Sequence, residues 1–105
     1  RKQKGRLMQQ QLMRLLLAKF PQLEPDDISS RSMGAGGEDL LLSPAARKLI
    51  PYSFECKSIA RFAGHTYMEQ AQANTPAGIK PVAVVKANHK KPVVIIYLDD
   101  FMELL

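Results

Sequence analysis

The fold and the chemistry predicted for this chain centre on the stretch YSFECK at positions 52–57. Apolar and polar side chains alternate along it, and a period of two is typical of a β-strand with one buried face. Because residues i and i+2 of a strand share a face, Tyr52, Phe54 and Cys56 are expected on one side, with Ser53, Glu55 and Lys57 on the other. The stretch therefore presents a carboxylate and an ammonium together, about 7 Å apart by strand rise.

Glu55 and Lys57 admit two interpretations. A carboxylate oxygen is a ligand that Mg²⁺ prefers, and an ammonium can orient an attacking water or stabilise charge that develops on a phosphate. In the other interpretation the two side chains form a solvated ion pair on an exposed strand and have no chemical role. Their spacing alone does not separate these interpretations, so the neighbouring polar residues have to be considered.

Two further polar residues favour a metal site. Asp39 opens a predicted short strand, 39–42. If that strand pairs with 52–57 as an antiparallel arm, Asp39 and Glu55 converge at one end of the sheet. Gln70 falls on the helix predicted after this arm, where its amide could hydrogen-bond a water or a phosphate. The alternative for Gln70 is an ordinary exposed helix glutamine.

The remaining elements predict an α/β fold. Helical periodicity, caps and flanking prolines predict helices over 7–20, 43–50, 65–73 and from 99 onward. Val/Ile-rich runs predict strands at 81–87 and 92–98, joined as a hairpin. A helix between the strands at 52–57 and 81–87 implies a crossover between parallel neighbours. We therefore expect one domain over 1–105, with a mixed sheet flanked by helices. Residues 1–28 would form the N-terminal helix and connector, and 29–105 the core.

Charge and composition indicate the kind of partner. The net charge of +5 suggests a polyanion, nucleic acid first and a membrane surface second, although a chain can also be basic without such a partner. No apolar run approaches the length of a membrane span, so no membrane association is expected. The single cysteine excludes an internal disulfide and suits a reducing, cytoplasmic compartment. The candidate DNA contacts are Arg31 and Ser32 in the glycine-rich loop 29–38, together with Arg61, Lys86, Lys90 and Lys91.

Three short motifs resemble a known nuclease superfamily. GED at 37–39, FECK at 54–57 and EQA at 69–71 resemble the PD-(D/E)XK nucleases, in particular a small phage-type branch near the Holliday junction resolvases. The resemblance covers roughly residues 30–105. It implies a restriction-endonuclease-like fold and a Mg²⁺-dependent endodeoxyribonuclease, which acts as a homodimer on branched DNA in the cytoplasm of a bacterial or phage-infected cell.

The resemblance also implies roles for individual residues. Asp39 and Glu55, with the backbone carbonyl of Cys56, would bind Mg²⁺ or Mn²⁺. Lys57 would position the attacking water, and Gln70 would be the supporting helix residue. The water would attack phosphorus in line and the 3′ oxygen would leave, giving a 5′-phosphate product.

The chain departs from the family pattern in two places. Many resolvase-type relatives have a glutamate in the first helix that assists the metal site, whereas Gln9, Gln10 and Gln11 occupy that region here. The proline that often precedes the first acid is also absent. A DNA-binding module that kept the fold and lost catalysis is therefore the alternative to an enzyme, and a structural or interaction protein is the third interpretation.

Overall fold

The computed structural model describes residues 2–30 and 38–105 of the chain. These residues form two compact units, Arg1–Ile59 with Leu105 and Ala60–Leu104. None of the helices in the described ranges is long and apolar enough to cross a membrane.

The first unit begins with helix α1, Lys2–Lys19, which confirms the predicted helix over 7–20 and extends it at the start. Leu12 and Leu16 are buried four residues apart on one side of α1, as the periodicity predicts. Ala18, predicted for the same side, is exposed. Pro21 follows shortly after the last turn, and the chain leaves the helix there.

A strand that the sequence analysis missed packs beneath α1. Strand β1, Ile28–Ser30, pairs antiparallel with β2, Leu40–Leu42, in the register Ile28 with Leu42 and Ser30 with Leu40. The prediction of a loop from residue 29 was therefore wrong for Ser29 and Ser30. Ile28 and Leu40 are almost fully buried and form the centre of this unit's core.

Helix α2, Pro44–Leu49, confirms the predicted capped turn. The Ser43 hydroxyl accepts a hydrogen bond from the Ala46 amide at 3.1 Å and donates one to Asp27 Oδ1 at 2.6 Å. This donation, followed by a bond from the Glu24 backbone amide, lowers the pKa of Asp27. Ser43 therefore starts the helix and ties it to the turn that precedes β1.

The stretch 52–57 does not form a regular strand, and that prediction was wrong. Its predicted alternation is present from Phe54 to Lys57, because Phe54 and Cys56 are half-buried while Glu55 and Lys57 are exposed. Tyr52, predicted for the same face as Phe54, is exposed. The Asp39 amide donates to the Phe54 carbonyl at 3.2 Å, so the stretch lies beside the start of β2 without extending its ladder.

The second unit consists of helix α3, Gly64–Ala73, strands β3, Val82–Val85, and β4, Val93–Ile96, and helix α4, Leu98–Leu104. All four elements were predicted, with longer bounds for the strands. β3 and β4 pair antiparallel, with Val82 opposite Ile96 and Val85 opposite Val93. Met68 of α3 is buried as expected, whereas Tyr67, predicted to pack inward, is exposed.

The α/β class is confirmed, but the predicted mixed sheet is not observed. Across residues 2–30 and 38–105 the strands form two separate antiparallel pairs, β1 with β2 and β3 with β4. The parallel crossover was predicted between strands at 52–57 and 81–87. Residues 52–57 form no strand, so β3 has no parallel partner there. The expectation of parallel neighbours was therefore wrong for the described residues.

Candidate active site

Two hydrogen bonds fix Asp39 beside the stretch that carries Glu55. Its amide donates to the Phe54 carbonyl at 3.2 Å, and its Oδ2 accepts from the Cys56 amide at 2.6 Å. The two bonds lie on either side of Glu55 along the backbone. Asp39 also directly precedes the fully buried Leu40, which anchors it to the core. The Asp39 segment and the Glu55 segment therefore lie side by side, although not through the pairing of strands 39–42 and 52–57 that was predicted.

Glu55 and Lys57 share one exposed face, as their spacing predicts. Lys57 Nζ lies 3.4 Å from Glu55 Oε2, and the two side chains are 73% and 70% exposed. An ion pair this exposed contributes about 0–1 kcal/mol to the free energy of unfolding. Its contribution to stability is therefore small. Both groups are open to a phosphodiester that approaches from solvent.

Cys56 adjoins both candidate carboxylates, because it follows Glu55 in the chain and its amide donates to Asp39. Burial raises the pKa of the Cys56 thiol, and the negative charges of Asp39 and Glu55 raise it further. A thiol held neutral in this way is a weak ligand, because metals bind the thiolate. The backbone carbonyl of Cys56 is therefore a better third donor than its sulfur.

A brace that sequence reasoning missed holds the two segments of the site together. Arg47 Nη2 donates to Glu38 Oε1 at 2.6 Å and to Oε2 at 2.8 Å, while Nη1 donates to the Tyr52 carbonyl at 2.5 Å. Glu38 precedes Asp39, and Tyr52 begins the stretch with Glu55. Arg47 thus joins both segments from α2. The available signal was an arginine in the last turn of a capped helix between the two motifs.

We expect Arg47→Ala to lower activity more than stability. A partly exposed Arg–carboxylate pair is worth about 1 kcal/mol, whereas a misplacement of about 1 Å at a reacting centre can cost roughly 100-fold in rate. Cleavage should therefore slow by roughly tenfold, with a small shift in the urea unfolding midpoint. Lys48→Ala, the exposed neighbour on α2, is the matched control. A large loss of stability with an unchanged cleavage rate would show that Arg47 acts on the fold alone.

The first helix supplies a buried amide close to β1. Gln9 is 2% exposed, and its Oε1 accepts a hydrogen bond from the Ser30 hydroxyl at 2.7 Å. Ser30 lies opposite Leu40, the residue after Asp39. A glutamine side chain in this part of α1 is thus directed into the unit, where it supplies a neutral amide.

An open groove borders the Lys57 end of the candidate site. Its volume is about 320 Å³, and Leu7, Met8, Gln11 and Ser58 line it. Ser58 directly follows Lys57 in the chain.

The donor set fits a hard divalent cation that keeps part of its hydration shell. Within the described residues no three His, Cys, Asp or Glu side chains cluster in a way that could hold a metal ion. Mg²⁺, however, is commonly held by only one or two carboxylates and retains several waters. Asp39, Glu55 and the Cys56 carbonyl match that pattern, and they do not match the closed four-ligand set of a structural zinc site.

The other predicted site residues are distributed over the chain. Gln70 on α3 and Arg61 just before it belong to the second unit, and both are exposed. Lys86, Lys90 and Lys91 are exposed in the segment between β3 and β4. Arg31 and Ser32 lie outside the described residues. The roles of these seven side chains stay predictions.

Comparison with known proteins gives no relative: no family model matches the chain, and no curated protein or solved structure is significantly similar to it. The resemblance to PD-(D/E)XK nucleases consequently stays a hypothesis that rests on the motifs at 37–39, 54–57 and 69–71. Function has to be argued from the geometry of the first unit and from the charge of the chain.

Proposed function

We propose that this protein is a metal-dependent DNA endonuclease of the PD-(D/E)XK type, with Asp39, Glu55 and Lys57 as its catalytic residues. The observation that carries the proposal is a pair of hydrogen bonds: the Asp39 amide donates to the Phe54 carbonyl at 3.2 Å, and the Cys56 amide donates to Asp39 Oδ2 at 2.6 Å. These bonds bring a second carboxylate beside Glu55 and Lys57. That pair is exposed, and Lys57 Nζ lies 3.4 Å from Glu55 Oε2.

Each residue has a distinct task in this proposal. The carboxylates of Asp39 and Glu55 and the Cys56 carbonyl hold Mg²⁺ or Mn²⁺, which supplies Lewis-acid stabilisation of the phosphate when bound. Lys57 orients a water for in-line attack on phosphorus and offsets negative charge on the phosphate oxygens. The bond from phosphorus to the 3′ oxygen breaks, so the products carry a 5′-phosphate and a 3′-hydroxyl.

The charge of the chain supports DNA as the substrate. The net charge is +5, and contacts between cations and phosphates supply most of the affinity for nucleic acid. Lys86, Lys90, Lys91 and Arg61 are all exposed. The phosphates of a polyanionic substrate would neutralise positive charges of the chain that its own carboxylates leave in excess.

An inactive DNA-binding module is the second candidate, and the environment of Gln9 favours it. Its neutral amide is buried against Ser30, in the helix where many resolvase-type relatives carry a third carboxylate. A site with two carboxylates binds its metal more weakly than a site with three. The two candidates therefore differ in cleavage and agree in DNA binding.

We also propose that the active species is a homodimer that cuts branched DNA. One chain carries one Asp39–Glu55–Lys57 constellation, and coordinated cutting of two strands needs two of them in fixed geometry. A two-fold dimer is the commonest way to supply both, and a four-way junction shares that symmetry. Leu7, Val93 and Leu104 are exposed and offer apolar interface material.

Light scattering at micromolar concentration should therefore give twice the mass of one chain. Dissociation by dilution should lower double cutting of a four-way junction before it lowers nicking of a linear duplex. A mass of one chain with and without junction DNA would contradict the dimer and leave a nicking enzyme.

Cleavage of a panel of end-labelled DNAs tests the proposed activity. Single-stranded, duplex, flap and four-way molecules should be compared side by side in Mg²⁺, in Mn²⁺ and in EDTA. We expect cutting in both metals, none in EDTA, and the fastest cutting on branched DNA. DNA binding without cleavage of any member of the panel would favour the inactive module.

A further inference from the structure

The hairpin of β3 and β4 separates its charges along its length. At its base Lys80 Nζ lies 3.3 Å from Asp100 and 3.4 Å from Glu103, and these carboxylates of α4 raise the pKa of Lys80. Beyond Lys80 the cations of the hairpin are Lys86, Lys90 and Lys91. In the described part of the chain, none of these three forms an ion pair. The hairpin is therefore neutralised at its base and positively charged at its tip.

A tight turn holds the basic tip. The Lys90 amide donates to the Ala87 carbonyl at 3.2 Å, and His89 inside the turn has the left-handed φ of 61°. A histidine in that region costs backbone energy and is held there by the surrounding turn. The lysines on either side of the turn are consequently placed on one compact projection beyond the ends of β3 and β4.

One face of the same hairpin is apolar and exposed. Residues directly opposite each other in an antiparallel pair share a face, which places Val84 with Val94 and Val82 with Ile96. Val84 is 71% exposed and Val94 is 62% exposed. The opposite face is turned towards α3, because a Cβ on Gly64 would lie 3.2 Å from Ile95 Cδ1. Val84 and Val94, the pair on this face that lies closest to the tip, are thus left open beside the tip lysines.

From this juxtaposition we infer that the hairpin binds an unpaired DNA strand, with the tip lysines on its phosphates and its bases against Val84 and Val94. The inference rests on the proposed function for its choice of nucleic acid. A strand without a partner exposes both a charged backbone and apolar base faces, whereas a duplex buries its base faces by stacking. Only the unpaired strand matches both the charge and the apolar surface, and branched DNA provides it where its arms open.

The test measures the affinity of fluorescein-labelled single-stranded and fully paired DNA by anisotropy, in EDTA and over a range of salt. Lys90→Ala/Lys91→Ala removes two phosphate contacts. The slope of log affinity against log salt should fall by about 1.4 for the single strand, at about 0.7 per contact. Lys19→Ala/Lys48→Ala, which removes two exposed cations from the first unit, is the matched control and should leave the slope unchanged.

Val84→Thr/Val94→Thr removes apolar surface and keeps shape and strand propensity. We expect single-strand affinity to fall roughly tenfold, at about fourfold per methyl group taken out of contact. The salt slope and the duplex affinity should stay unchanged, and circular dichroism should confirm the fold.

Equal losses on single-stranded and paired DNA, no loss on either, or an unchanged slope for the lysine variant would each overturn the inference. If the valine variant has a lower mass in solution than the wild type, the valine face mediates self-association, and the inference is overturned as well. Failure of the proposed function gives a different result. If the variants show these binding effects but the wild-type protein cuts no DNA in Mg²⁺, the inference about the hairpin stands and the proposed nuclease activity is contradicted.

Discussion

Lys57→Ala is expected to bind DNA nearly as well as the wild type and to cut it roughly 100-fold more slowly or worse, the usual scale for removing one group that stabilises a transition state. The ammonium lies 3.4 Å from Glu55 Oε2 and is largely exposed, so the substitution leaves no buried group without a partner. The free energy of unfolding should change by less than about 1 kcal/mol. Single-turnover cleavage and anisotropy binding on the same DNA separate the two effects.

Lys48→Ala is the control for Lys57→Ala, since it removes an equally basic and exposed side chain from the same unit. It should cut at close to the wild-type rate. Wild-type turnover in Lys57→Ala would show that Glu55 and Lys57 form only a solvated ion pair, and the nuclease proposal would lose its central residue.

Asp39→Asn is expected to lower the metal-dependent rate by about 100-fold or more, and Glu55→Gln should have a similar effect. Changes to residues that only support a metal ligand typically cost about 10–100-fold, and a direct ligand should cost at least as much. Asparagine keeps a side-chain oxygen that can accept from the Cys56 amide, which the aspartate does at 2.6 Å. The substitution therefore removes charge while the local backbone contact can persist.

The metal dependence of the rate identifies the cause of these losses. Both variants should need a higher Mg²⁺ concentration for half-maximal cleavage, because each retains one carboxylate of the pair. An unchanged Mg²⁺ requirement with a lower rate would assign Asp39 to proton transfer or folding and would leave the metal to other residues. Urea unfolding of each variant controls for a change in stability.

The elements that local pattern determines were predicted from the sequence. Helix α2 begins where Ser43 can cap it and Pro44 can start it, and β3 and β4 follow two Val-rich runs joined by a turn. These features depend on residues within a few positions of one another. Asp39 was expected near Glu55 through pairing of strands 39–42 and 52–57, which the structure does not form. Two hydrogen bonds between Asp39 and the backbone of Phe54 and Cys56 bring the two segments together instead.

The features that depend on distant residues were not predicted. Strand β1 consists of one buried isoleucine and two serines, and it is a strand because Leu40–Leu42 pairs with it. Arg47 joins Glu38 to Tyr52 through contacts that no periodicity marks. For residues 54–57 the alternation predicted burial correctly, but it was wrong for Tyr52 and did not specify a hydrogen-bonded ladder. Pattern indicates which side of a segment is buried, whereas pairing depends on which other segments are available.

The most direct test of the central claim is single-turnover cleavage of one end-labelled four-way DNA by the wild type and by Asp39→Asn, purified identically and assayed in Mg²⁺ and in EDTA. The proposal predicts that the wild type cuts only in Mg²⁺ and leaves 5′-phosphate ends, while Asp39→Asn binds the same DNA and is at least about 100-fold slower. Equal rates for the two proteins, or cutting by the wild type in EDTA, would contradict a metal site built on Asp39 and Glu55.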